Sequence, residues 1–135
     1  MKKIFFFGGG NIAMAAINGL IKSGFPKKDL LVIDRNDSKI NKFNKVGIKK
    51  GEINKISRND MVVLAVKPKD SKESIKIISK HISDLLVVSF VAGVKGKSLL
   101  KINKNLKIIR VMPNTGISQN RGVSGILNIS APKIK

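Results

Sequence analysis

The sequence predicts a single α/β domain built on a doubly wound, mainly parallel sheet. Three observations predict this fold: short, solid apolar runs recur along the chain, stretches with helical apolar spacing separate them, and a glycine turn follows the first run. Strands that are apolar throughout are typical of a parallel sheet covered by helices on both faces. The length of 135 residues fits one domain. We expect residues 1–127 to form it and residues 128–135 to form a polar C-terminal tail.

The first 34 residues predict one parallel crossover unit. Residues 4–7 form a short apolar run that stops at three glycines, which indicates a buried strand entering a tight turn. From residue 11 to residue 23 apolar side chains recur every four positions, and Gly24 stands where a left-handed helix cap belongs. Residues 30–33 form a second apolar strand, which ends at Asp34.

The alternation of strands and helices then continues. Asp37 and Ser38 predict the cap of a second helix, which stops at Gly47. Asp70 and Glu73 predict a capping box for a third helix. The third helix carries its apolar side chains at Ile75, Ile78 and Ile82. The other predicted elements are strands over 61–66, 85–88 and 108–112, a short helix over 98–102, and a last strand compatible with residues 122–127.

The charge balance is strongly basic, with 27 Lys+Arg against 8 Asp+Glu and a formal net charge of +19. Lys, Ile and Asn are all abundant, and all three have A/T-rich codons, so a genome poor in G and C explains this charge without selection for it. The lysines are scattered along the chain, and there is no Trp or Tyr on which bases would stack. We therefore expect no specific nucleic-acid partner, and a basic nucleic-acid binder is the weakest alternative.

Composition excludes several further chemistries. The absence of Cys rules out disulfides and thiol nucleophiles, and a single His argues against a metal site. The apolar run near the N-terminus is interrupted by glycines after four residues, so it does not fit a signal peptide. No run approaches the roughly 20 apolar residues that a membrane span needs. We expect a cytoplasmic protein with no membrane partner, and we assign no catalytic side chain.

The glycine turn carries the clearest functional motif. Gly8-x-Gly10-x-x-Ala13 matches the dinucleotide fingerprint, and it lies between the first strand and its helix, where that fingerprint must lie. The first glycine permits the sharp turn, the second lets the backbone approach a pyrophosphate, and Ala13 lets the helix pack close to the strand. Free N–H groups at the helix start would face the phosphates. This motif predicts a nicotinamide dinucleotide as cofactor in a Rossmann-like fold.

The loop after the second strand leaves the choice of cofactor open. Asp34 lies 21 residues beyond Ala13, where an acid would bind the ribose 2′-OH of NAD. Arg35 and Lys39 would favour the 2′-phosphate of NADP instead, so we favour NADP(H) weakly over NAD(H). In the alternative, Asp34 caps the following turn and Arg35 is solvated.

Two further strand ends are expected beside the same crevice, because ligands of open parallel sheets bind at the carboxyl ends of the strands. Lys67 follows one of these strands and would meet a phosphate or the nicotinamide ribose, although a lone lysine there is also compatible with simple solvation. Residues 89–93 end the next strand with small side chains that would let a flat ring approach the backbone. Hydride chemistry suits this arrangement, since the cofactor supplies the reactive atom and the protein supplies its placement.

Four blocks of the sequence, in this order, resemble the pyrroline-5-carboxylate reductases as far as about Ser130. They are the opening FGGGNIA-x-A with GLI, the strand from Asp60 to Pro68, the SFVAG turn from Ser89 to Gly93, and RVMPNT from Arg110 to Thr115. The first block is shared with many dehydrogenases, whereas the last is much more specific.

The resemblance implies reduction of the cyclic imine 1-pyrroline-5-carboxylate to L-proline, with a hydride from NADPH or NADH. An imine is already electrophilic when protonated, so an essential acidic side chain need not exist. Carried onto this chain, the resemblance together with the motifs above gives as cofactor-binding residues Gly8, Gly10, Asn11, Ile12, Ala13, Asp34, Arg35, Asn36, Ala65, Val66, Lys67, Pro68, Ala92 and Gly93. It gives as residues beside the substrate Met112, Pro113, Asn114 and Thr115.

Two departures from the family pattern matter. Gly116 stands where family members usually have proline, which loosens the loop beside the active site. The family also has a second, helical domain through which it dimerises, and this chain ends about where that domain should begin. We therefore expect a chain that binds the cofactor but is weakly active or inactive alone, with its oligomeric state open. The alternative is a non-catalytic nucleotide-binding or interaction module that requires a helical partner.

Overall fold

The computed structural model describes residues 3–111 and the backbone of residues 126–128. Its strands are β1 (Ile4–Phe7), β2 (Leu30–Ile33), β3 (Lys49–Lys50), β4 (Met61–Leu64), β5 (Leu86–Ser89), β6 (Lys107–Val111) and β7 (Ile126–Asn128). Its α-helices are α1 (Asn11–Lys22), α2 (Asp37–Lys45), α3 (Ser71–Ser79) and α4 (Gly96–Leu100). No helix within this described part is long and apolar enough to cross a membrane.

The strands form one sheet in the order β3-β2-β1-β4-β5-β6-β7. Every neighbouring pair is parallel except β6 and β7, which run antiparallel. The order reverses direction at β1, since β2 lies on one side of it and β4 on the other. The predicted doubly wound, mainly parallel α/β fold is confirmed.

Two apolar cores cover the two faces of the sheet. On one face α1 and α2 pack Ala13, Ile17 and Phe43 against strand residues such as Phe6 and Val32. On the other face α3 and α4 contribute the buried side chains of Ile75, Ile78 and Leu99. These pack with buried strand residues, which include Phe5, Val62, Leu64, Val87 and Ile108. Because both faces are covered, the central strands can be apolar throughout, which is the pattern the sequence has.

The end of α1 has the predicted glycine cap, whereas the predicted N-cap of α2 needs correction. Gly24 has φ +96°, and the Phe25 N–H closes the end of α1 on the Leu20 carbonyl at 2.9 Å. The N-cap of α2, however, is Asn36 and not Asp37 or Ser38. The Asn36 side-chain oxygen accepts hydrogen bonds from the N–H groups of Ser38 and of the residue after it.

The capping box predicted for α3 is wrong. Asp70 has φ −98° and ψ −4°, and its side chain makes no capping hydrogen bond. The reason is that residues Pro68–Asp70 form a 3₁₀ turn that runs directly into the helix. Hydroxyl groups hold the junction instead: Ser71 Oγ donates to the Pro68 carbonyl and Ser74 Oγ to the Asp70 carbonyl, each at 2.8 Å. The helix ends at Ser79, so Ile82 lies beyond it while still packing on the second core.

Several strand bounds differ from the prediction by one or two residues. β4 ends at Leu64 rather than 66, and the chain bends at Val66. β5 and β6 each lie one residue away from the predicted bounds. The last strand is described over Ile126–Asn128, and residues 122–125 of its predicted range lie outside the described residues. β3 was not predicted, because its two residues are exposed lysines and carry no apolar signal.

Candidate functional site

Four predicted segments meet at the carboxyl edge of the sheet. Phe7, the last residue of β1, pairs with Ile33 on one side and Leu64 on the other, and Leu64 pairs with Ser89. The chain therefore leaves four neighbouring strands at one level. The segments that follow them contain all of the predicted cofactor-binding residues: Gly8, Gly10, Asn11, Ile12, Ala13, Asp34, Arg35, Asn36, Ala65, Val66, Lys67, Pro68, Ala92 and Gly93.

Gly8 locks the first turn between both neighbouring strands. Its N–H donates to the Ile33 carbonyl at 2.8 Å. Its φ is +105°, and a Cβ at this position would lie 2.6 Å from the Ala65 oxygen and 2.8 Å from the Ala65 carbonyl carbon. Only glycine suits both the backbone angle and this close approach. The sharp turn assigned to the first glycine of the motif is thus present.

Gly10 lies beside open space. It precedes α1 in an extended conformation with φ −85°, and a Cβ added there would meet nothing within 4 Å. Within the described part of the chain, the N–H groups of residues 10–13 have no hydrogen-bond partner, whereas Met14 N–H donates to the Gly10 carbonyl. Ala13 is fully buried against the first core. Gly10, Asn11 and Ile12 are exposed or half-buried, so three free amides at a helix N-terminus are accessible, which is the arrangement that binds phosphate.

Asp34 connects the glycine turn to the second helix. Its Oδ2 accepts from Gly9 N–H at 2.7 Å, and its Oδ1 accepts from Asn36 N–H at 2.8 Å. A Cβ on Gly9 would lie 3.1 Å from the Phe43 ring and 3.3 Å from Asp34 Oδ2, so Gly9 is tightly enclosed. Sequence reasoning missed Gly9 as a site residue. The available signal was an acid ending the strand beside a glycine turn, since the two strands are adjacent and parallel.

The ends of β4 and β5 complete the edge. Ala65 N–H donates to the Phe7 carbonyl and Phe90 N–H to the Leu64 carbonyl, each at 2.9 Å, so both segments start at the same level. Lys67 and Pro68 are exposed. Ala92 and Gly93, which follow β5, are exposed as well, whereas Ser89 and Val91 are buried. Of the segment 89–93 expected beside the crevice, Ala92 and Gly93 are therefore the accessible small residues.

Positive charge at this edge is unpaired within the described residues. Arg35 and Lys67 are exposed, and neither forms an ion pair in the described part of the chain. The ion pairs found in the described part of the chain join Asp84 to Arg58 and to Lys107. The free cations at the edge suit an anionic ligand. The expected substrate-side residues Met112, Pro113, Asn114 and Thr115 lie outside the described residues.

The free amides, the open space at Gly10 and the acid that ends β2 fit the diphosphate of a nicotinamide dinucleotide. Fold and site together define a Rossmann-type domain of the dinucleotide-binding class. The chain belongs to the family described as NADP oxidoreductase, coenzyme F420-dependent, which matches residues 3–93.

The resemblance to pyrroline-5-carboxylate reductases is confirmed by comparison with known proteins. The chain is 38% identical to the pyrroline-5-carboxylate reductase of Haemophilus influenzae over 136 aligned residues, which cover 98% of this chain and 49% of that protein. The structure of a pyrroline-5-carboxylate reductase from Coxiella burnetii superposes with a TM-score of 0.77 at 32% identity, covering 87% of this chain and 46% of that one.

A third relative carries a cofactor. Plasmodium falciparum pyrroline carboxylate reductase, solved with NADP bound, gives a TM-score of 0.73 at 25% identity and covers 87% of this chain and 44% of that one. The chain thus spans about half the length of the relatives it matches, and it corresponds to their N-terminal half.

Proposed function

We propose that this chain is the NAD(P)H-binding half of a pyrroline-5-carboxylate reductase, an enzyme that reduces a cyclic imine to L-proline by hydride transfer. The observation that carries the proposal is the row of accessible free amides over residues 10–12 beside the open space at Gly10. Homology to pyrroline-5-carboxylate reductases over 98% of the chain supplies the reaction class.

Each segment of the sheet edge has a proposed task. The amides of residues 10–12 bind the diphosphate, where each charge–dipole interaction contributes about 0.3–1 kcal/mol. Residues 34–36 lie beside the adenine ribose, and residues 65–68 beside the nicotinamide half. Ala92 and Gly93 leave room for the nicotinamide ring. For residues 112–115, which lie outside the described residues, the proposed task beside the nicotinamide and the substrate comes from the family resemblance alone.

When bound, the nicotinamide cofactor supplies the hydride. The residues of this chain bind and orient it, so their contribution is placement rather than proton transfer. A protonated imine is electrophilic enough to accept a hydride without a dedicated acid.

The proposed preference for NADP(H) over NAD(H) is weak and rests on Arg35. Its exposed guanidinium follows Asp34 directly and has no ion-pair partner in the described residues, so it is free to meet a 2′-phosphate. We expect Arg35→Ala to weaken NADPH binding about 10- to 150-fold, the effect of losing roughly 1.5–3 kcal/mol of charged hydrogen bonding, and to leave NADH binding unchanged. Arg58→Ala is the matched control, since Arg58 is also exposed and pairs with Asp84 instead. Equal losses for both cofactors in the Arg35 variant would contradict this preference.

We further propose that these 135 residues alone bind the cofactor but reduce the imine slowly or not at all. The support is that the chain spans about half the length of its relatives. A fluorescence titration with NADPH and a pyrroline-dependent NADPH oxidation assay test the two parts separately. We expect saturable binding without rapid turnover. Absence of binding would refute the proposed function, and rapid proline formation by this chain alone would refute the second part.

A further inference from the structure

The carboxylate of Asp34 is used by donors of the chain itself. Oδ2 accepts from Gly9 N–H and Oδ1 from Asn36 N–H, at 2.7 Å and 2.8 Å. We propose that Asp34 is a positioning residue, which holds the glycine turn in the conformation that leaves the amides of residues 10–12 free for a diphosphate. This inference rests on the proposed function and assigns Asp34 a task other than recognition of the ribose.

The tight enclosure of Gly9 leaves its N–H little freedom to move away from Asp34. Gly9 is buried, and a Cβ on it would lie 3.1 Å from the Phe43 ring and 3.3 Å from a Val32 methyl group. The Gly9 N–H donates to the carboxylate that follows β2, whereas the N–H groups of residues 10–12 have no hydrogen-bond partner within the described residues. Without an acceptor at this point, a partly buried N–H would lack a partner, and the turn would gain by reorienting.

The other carboxylate oxygen of Asp34, Oδ1, positions the start of α2 in the same way. Asn36 donates its N–H to Asp34, and its own side-chain oxygen accepts from Ser38 N–H at 2.9 Å to cap the helix. One carboxylate therefore fixes both the glycine turn after β1 and the start of α2, which are the two segments proposed to hold the diphosphate and the adenine ribose.

Positioning and ribose recognition make opposite predictions about selectivity. A carboxylate that recognised the ribose would discriminate between a 2′-hydroxyl and a 2′-phosphate, so its neutralisation would weaken NADH binding and strengthen NADPH binding. A carboxylate that positions the turn acts on the diphosphate, which the two cofactors share. Its loss would weaken both by the same factor.

The test is Asp34→Asn. An asparagine of the same shape has one acceptor oxygen and one NH₂ group, so it cannot accept from two N–H donors in this geometry. We expect NADPH and NADH affinities to fall together by about tenfold, the size of one lost charged hydrogen bond. ADP, which carries the diphosphate without nicotinamide or 2′-phosphate, is the third probe, and we expect its affinity to fall by the same factor.

Asp60→Asn is the matched control. Asp60 is likewise a carboxylate bonded to backbone, since Oδ1 accepts from Lys3 N–H and Oδ2 from Ser57 N–H, each at 2.9 Å. It precedes β4 and therefore lies at the opposite edge of the sheet. We expect Asp60→Asn to lower thermal stability while leaving all three affinities within twofold. A purely structural role of Asp34 would give this same pattern and would overturn the proposal.

Amide hydrogen exchange of the unsubstituted chain provides a readout that needs no variant. We expect Gly9 N–H to be protected in the free protein, and the Gly10 and Asn11 amides to exchange at least tenfold faster until NADPH is added. Exchange of Gly9 as fast as Gly10 would overturn the proposal, and so would opposite shifts of NADPH and NADH affinity in Asp34→Asn. If no dinucleotide binds the unsubstituted chain, the proposed function fails, and the Gly9 amide still decides whether Asp34 holds the turn.

Discussion

Replacing Gly8 by alanine tests the close packing of the first turn against β4. The φ of +105° costs an L-residue about 1–2 kcal/mol. The new Cβ would also lie 2.6 Å from the Ala65 oxygen, a backbone atom that cannot swing away, and such overpacking typically costs about 1–3 kcal/mol. We therefore expect Gly8→Ala to lower the free energy of unfolding by about 2–5 kcal/mol, a large part of the roughly 5–15 kcal/mol available to a domain.

Gly24→Ala separates the two contributions. Gly24 has a similar φ of +96°, but a Cβ there would meet nothing within 4 Å. It should therefore show only the backbone cost of about 1–2 kcal/mol. Urea unfolding followed by far-UV circular dichroism gives both values, provided that the slope of the transition is unchanged. If the unfolding free energies of the two variants lay within about 0.5 kcal/mol of each other, the steric reasoning would be refuted, since ordinary surface substitutions cause changes of that size.

Three further predictions concern two residues at the same edge and one control residue far from it. Gly10→Ala should leave stability unchanged or raise it by about 0.4–1 kcal/mol, because its φ is negative and a Cβ has open space, yet it should reduce NADPH affinity in a fluorescence titration; unaltered affinity would contradict the diphosphate site. Asn36→Ala removes the cap of α2 and should cost about 0.5–2 kcal/mol in urea unfolding, and no measurable loss would count against the capping role. Asp84→Ala should cost less than about 1 kcal/mol, because its two ion pairs are long and exposed, and a larger loss on thermal unfolding would show that they matter more than solvent screening allows.

The sequence was sufficient for features that depend on local chemistry. Solid apolar runs predicted the central strands. The glycine motif predicted the sharp turn at Gly8, and the end of the helical pattern predicted the left-handed cap at Gly24; both glycines have positive φ. The family resemblance, which the comparisons confirm, came from short motifs at strand ends. These signals are local because each depends on one element and its immediate turn.

The features that were missed depend on contacts between elements. Asn36, Asp37 and Ser38 all suit a helix cap, and the choice of Asn36 is associated with the hydrogen bond that its N–H makes to Asp34. The bond between Gly9 and Asp34 joins residues 25 apart, so no local pattern contains it.

The other errors have a similar origin. The capping box at Asp70 failed because the preceding 3₁₀ turn fixes its backbone in a helical conformation. β3 is held at the sheet edge by its pairing with β2 and by the bond from Gly51 N–H to the Val32 carbonyl, at 2.7 Å, rather than by apolar residues of its own.

The central claim is that the free amides after β1 bind the diphosphate of a nicotinamide dinucleotide. Isothermal titration calorimetry of the unsubstituted chain with NADPH and with NADH tests it most directly. We predict a saturable single-site isotherm with at least one of the two. No heat with either dinucleotide, from a chain shown to be folded by circular dichroism, would contradict the account.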